Sequence, residues 1–178
     1  SAAVTVGHVE NATVGRVLTF EGAVPTAGEI LIGTFVTAPT ALEWAALQTA
    51  LGNGAKTVQQ IITELSSVTY GFADVRSLAG GSLQAGFDWD WNTNSTIGGT
   101  ANINFANLGA SKPLFLIAYD GLNPAVSQQL FAGRATTWTS AAADGGPTTL
   151  LLNAIDTASE VLIGFDTGGA DVRMATAV

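Results

Sequence analysis

The chain has 178 residues, 47% hydrophobic and only 11% charged, with no cysteine and a formal net charge of −8. That length supports one domain with a substantial core, and the composition is too apolar and too sparsely charged for a disordered chain. Six basic residues cannot build a phosphate-neutralising face, which argues against nucleic-acid binding, and no apolar run reaches the ~20 residues of a membrane-spanning helix.

In chain order, most segments read as strands. Residues 2–9 alternate small polar and β-branched side chains, with Val4 and Val6 on one side, and 14–20 follow after Asn11-Ala12-Thr13. Residues 29–36, 114–119 and 160–165 are short apolar runs bounded by Gly, Pro or Asp, the signature of strands buried on both faces. Weaker alternation marks 69–76, 83–91, 100–105, 127–134, 148–153 and 171–175. Glycine-rich turns such as Ala79-Gly80-Gly81 and Asp144-Gly145-Gly146-Pro147 punctuate them. Many short strands with such turns predict an all-β fold, a β-sandwich or jelly roll.

One stretch departs from this. Thr40-Ala41-Leu42-Glu43 and Thr57-Val58-Gln59-Gln60 both match a capping box, in which the Thr and the Glu or Gln three residues on satisfy each other's orphan amides. An Ala- and Leu-rich run follows the first and stops at Gly52; Val58, Ile61, Ile62 and Leu65 line one helical face after the second. A short two-helix insertion is expected at about residues 40–66. Glu29-Ile30-Leu31-Ile32-Gly33 is echoed by Glu160-Val161-Leu162-Ile163-Gly164, which reads as two central strands of similar make-up. No linker or charge block divides the chain, so residues 1–178 read as a single domain, with 1–10 as a strand that could be exchanged between copies.

Gly28-Glu29-Ile30-Leu31-Ile32-Gly33-Thr34-Phe35, the helical stretch, Gly71-Phe72-Ala73, the run Lys112 to Tyr119, Phe131-Ala132-Gly133-Arg134, Trp138 and Glu160 to Gly164 occur in an order that resembles the exported domain of small bacterial PEP-CTERM-type surface proteins. The resemblance covers most of the chain after about residue 20 and rests on short apolar motifs. It implies export, a place at the cell surface and association with biofilm or extracellular matrix, and it supplies no catalytic residues. The sorting tail of that family, a Pro-Glu-Pro with an apolar helix and an arginine cluster, does not occur in these residues; on this resemblance maturation removes it. The start Ser1-Ala2-Ala3-Val4 is in keeping with a cleaved signal peptide.

Candidate chemistry is sparse. Without cysteine there is no disulfide, no thiolate nucleophile and no cysteine zinc site. His8 is the single histidine, and no G-x-S-x-G elbow accompanies it, so an acyl-transfer triad lacks its nucleophile. Asp88, Asp90, Asn92 and Asn94 alternate; on a strand they would share a face of oxygen ligands suited to Ca²⁺. Thr93 stands where an EF-hand would need glycine and Gly99 where it would need its closing glutamate. The same residues equally suit the solvent face of an edge-near strand. Trp44, Trp89, Trp91 and Trp138 either form a sugar-stacking platform or pack in the core.

These readings combine into one expectation: a secreted, non-enzymatic structural protein that self-assembles into an extracellular filament, tube or surface matrix. Its assembly strand would carry Val4, Val6 and His8 and pair with a neighbouring copy's sheet edge. The partner is the protein itself, with extracellular polysaccharide as a further one, and no cofactor is required beyond a candidate Ca²⁺. The alternative is a carbohydrate-binding or matrix-attaching module that uses Trp89 and Trp91.

Overall fold

The computed structural model describes residues 2–7, 17–75, 89–90, 96–97, 99–103, 105–151, 161–168 and 171–178. These are mostly sheet with two small helices. In chain order the elements are β1 (Ala2–Gly7), β2 (Val17–Leu18), β3 (Glu29–Thr34), α1 (Ala41–Gly52), α2 (Val58–Leu65), β4 (Ala73–Asp74), β5 (Trp89–Asp90), β6 (Thr96–Ile97), β7 (Gly99–Ile103), β8 (Phe115–Tyr119), β9 (Gln129–Gly133), β10 (Pro147–Leu151), β11 (Val161–Ile163), β12 (Phe165–Asp166), β13 (Val172–Arg173) and β14 (Ala175–Thr176). Single helical turns occupy Phe105–Leu108 and Pro124–Val126.

The centre is a six-stranded antiparallel sheet in the order β11-β9-β8-β3-β4, with β14 also on β9. Its side chains alternate between two cores. Phe115, Ile117 and Tyr119 of β8, with Leu130 and Ala132 of β9, meet Trp44, Leu47 and Leu51 of α1 and Val58, Ile61, Ile62 and Leu65 of α2. On the opposite face Ile30 and Ile32 of β3, Leu116 and Ala118 of β8 and Phe131 of β9 join Val17, Ile103, Trp138, Val172 and Met174. All five residues of β8 are buried, which is why an apolar run with no alternation makes a strand here.

The predicted helix pair is present. Thr40 and Thr57 both form complete capping boxes, with Glu43 and Gln60 as the reciprocal partners. In α1 the buried residues Trp44, Leu47 and Leu51 lie on one face, while Leu42 is exposed.

Two expectations are corrected. The strand expected at 69–76 is reduced to Ala73–Asp74. The preceding residues turn instead, with Gly71 N–H donating to the Ser67 carbonyl at 2.7 Å and Phe72 N–H to that of Leu65 at 2.9 Å. The run at 160–165 is not a central strand buried on both faces. Val161–Ile163 lies at the sheet edge, and its pairing with β9 slips at a bulge between Val161 and Ile163. A bulge sets two residues against one, so Leu162 and Ile163 both serve the helix-side core while Val161 packs on the other.

Beyond Gly164 the chain leaves this edge. β12 and β13 form a hairpin that pairs with β2, and β14 then returns to β9. Thus β11 and β14 lie end to end along the same side of β9, against Ala132–Gly133 and Gln129–Leu130 respectively.

Candidate functional site

The N-terminal strand sits inside a separate three-stranded sheet, β10-β1-β7. β1 runs parallel to β10, with Val4 opposite Thr148 and Val6 opposite Leu150. It runs antiparallel to β7, with Val4 opposite Ala101 and Val6 opposite Gly99. Both of its backbone edges are therefore occupied, and β1 is what joins β7 to β10. Such a ladder is made of main-chain groups and is tolerant of the side chains it carries. His8 lies outside the described residues.

The candidate calcium and tryptophan residues divide. Trp89 and Asp90 form β5, which pairs with β6 through Trp89 opposite Ile97 and Asp90 opposite Thr96. Asp88, Trp91, Asn92 and Asn94 lie outside the described residues. Trp44 and Trp138 are buried, at 3% and 1% exposure, so neither can stack on a sugar. Trp44 packs on Phe35 and Phe115 with ring centroids 5.8 and 6.4 Å away. Among the described residues no group of three His, Asp or Glu side chains converges as a metal site would require.

An open groove of about 460 Å³ runs between α1 and β11, lined by Ala41, Trp44, Ala45, Gln48, Thr49, Val161 and Leu162. Small side chains on the outer side of α1 leave this space. Gln48 bridges its end: its Oε1 accepts the Gly164 N–H at 3.0 Å, satisfying the amide where β11 stops. Sequence reasoning missed this role, because a single glutamine in an Ala-rich helix carries no periodic signal.

Several of the described ionisable groups pair within the fold. The buried Tyr70 hydroxyl donates to Glu43 Oε2 at 2.6 Å, and the buried Tyr119 hydroxyl donates to Glu29 Oε2 at 2.8 Å. The bond from Tyr70, helped by those from Thr40, holds the Glu43 carboxyl below its ordinary range. The same carboxylate, with burial, pushes the Tyr70 phenol up to about 12. Lys56 pairs with Glu64 beside α2. None of these pairs sets a base against a nucleophile.

No protein-family model, no curated protein and no solved structure matches this chain. Among the described residues no helix is long and apolar enough to cross a membrane.

Proposed function

We propose that this is a secreted, non-enzymatic structural protein of the PEP-CTERM-type surface class that self-assembles into an extracellular filament, tube or matrix, with β1 as the linking strand. The observation that carries the reading is the two-sided backbone pairing of β1 with β10 and β7. In an exchanged assembly the same ladder forms in trans. The closed and exchanged forms then make the same strand pairs, and concentration decides between them.

Two further features support it. Charge is sparse for a chain of this size, and several large apolar side chains stand in solvent, among them Val36, Leu42, Val68 and Leu122. Within this reading the fold is a β-sandwich. In its support, Val17 of β2 and Val172 of β13 share one core with Ile30, Ile32 and Leu116 of the central sheet.

The test is light scattering and negative-stain microscopy of the full chain over a concentration series. Filaments, tubes or lattices that vanish when residues 1–10 are deleted, and return when a peptide-linked copy of 1–10 is restored, are the expected result. A full chain that stays monomeric at every concentration, or assemblies that persist after the deletion, would overturn the proposal.

A further inference from the structure

A second surface feature is lined by residues of other elements than β1. The hairpin of β12 and β13 and the turn after β2 enclose an open cleft of about 530 Å³ lined by Phe20, Phe165, Asp166, Thr167 and Arg173. Phe20 and Phe165 meet edge to face, with ring centroids 5.8 Å apart and planes at 66°. Each remains 42% exposed, so the pair presents apolar surface to solvent.

The cleft is built from braced elements. Phe20 stands on a turn in which the Ala23 N–H donates to Thr19 Oγ1 at 3.0 Å, and the Phe20 N–H donates to Gln129 Oε1 of β9 at 2.8 Å. Phe165 is directly opposite Arg173 in the hairpin ladder, and directly opposed residues project on the same face. Gly22, at φ +89°, lies under the guanidinium: a Cβ there would stand 2.7 Å from an Arg173 Nη. Among the described residues Arg173 forms no ion pair, and its Nε is buried without an acceptor. Asp166 also lines the cleft, but its Oδ1 accepts the Gly168 N–H at 3.0 Å and it does not pair with Arg173.

An uncompensated, positioned guanidinium beside exposed aromatic rings has a definite chemical complement. The planar fork of Arg favours a carboxylate, and the rings favour a flat C–H face. We propose that this cleft binds a uronic-acid residue of an acidic polysaccharide, its carboxylate on Arg173 and its ring against Phe20 and Phe165. A second cavity of about 460 Å³ shares both phenylalanines and adds Gln48, Thr49 and Thr176. Those amide and hydroxyl groups suit the hydroxyls of a neighbouring sugar, and a simple aromatic carboxylate would leave them unused. The chain's net charge of −8 opposes a polyanion at long range. Salt confines that repulsion to about 8 Å at physiological strength, while the contact with Arg173 is local.

The test is titration calorimetry of the full chain with a short oligogalacturonate, its methyl ester of equal length, and benzoate. The expected result is binding of the acid form, weakened at least about tenfold by esterification and by Arg173→Lys, which keeps the charge but loses the fork. Phe165→Leu should also weaken it, and Trp89→Ala and Trp91→Ala should not. Equal binding of acid and ester, binding of benzoate alone, or no binding of the acid at about ten millimolar would overturn the proposal. The ester comparison uses the unmodified chain, so it decides the matter even where a variant fails to fold.

Discussion

At the scale of single residues, Gly164 constrains the path of the chain where β11 gives way to β12. Its φ of +122° is one that L side chains rarely adopt, and a Cβ would stand 2.5 Å from the Arg173 carbonyl oxygen and 2.8 Å from Phe131 Cδ2. No side chain fits where β11 gives way to β12. Gly164→Ala is expected to cost about 2–4 kcal/mol through backbone strain and overpacking together, read from the midpoint of urea unfolding. The Tyr70–Glu43 pair makes a prediction about pH. Glu43 is held below its ordinary range, so its contribution is present above the ordinary carboxylate range and is lost as pH falls through the lowered value. Tyr70 is raised from 10.0 to about 12, so its contribution is intact below the unfolded value and is lost as pH rises through about 12. Ultraviolet titration of the native chain should show a phenol ionising near 12. That step should vanish in Tyr70→Phe; its persistence there would refute the assignment to Tyr70.

At the scale of elements, the two helices are held in different ways. α2 shows its buried stripe openly, as Val58, Ile61, Ile62 and Leu65 with polar residues between. α1 buries Trp44, Leu47 and Leu51, but alanines and the exposed Leu42 surround that stripe and blur it. What made α1 legible was its N-terminal cap and its strong helix formers. Thr40→Ala and Thr57→Ala should each lower stability by about 1 kcal/mol, and the double variant by about the sum, since the two caps share no partner. Thermal or urea unfolding of the three variants checks this; a change confined to one cap would mean that the other helix is held by packing alone. β11 shows the opposite case. Its sequence nearly repeats that of β3, yet β3 lies inside the sheet and β11 at its edge. Local composition records that a strand is apolar, whereas its place in the sheet depends on which neighbours arrive.

At the scale of the whole molecule, the central sheet has a core on each face, whereas β1 pairs in a separate sheet with β7 and β10. Deleting residues 1–10 should therefore leave a cooperative unfolding transition and near-native circular dichroism. Loss of cooperativity on that deletion would make β1 part of the folding unit instead of a removable link. Low charge and the missing cysteines belong to this scale too. Without disulfides, durability has to come from packed sheet and, in the proposed assembly, from neighbouring copies.

The sequence by itself determined that the chain is β-rich, that two capped helices interrupt it near residues 40–66, and that the run at Leu114 is buried; of the run expected at 29–36, Ile30 and Ile32 are core residues, while the strand stops at Thr34 and Val36 is exposed. Each follows from local chemistry: capping hydroxyls, apolar periodicity, and glycine or proline at the turns. Only the tertiary structure decided that Trp44 and Trp138 are core residues, that β11 is an edge strand with a bulge, and that Phe20, Phe165 and Arg173 meet. Phe20 lies far along the chain from the other two, and the parallel pairing of β2 with β13 brings them together. Long-range strand pairing is set by the sum of many weak contacts across the fold, and no window of sequence contains that sum.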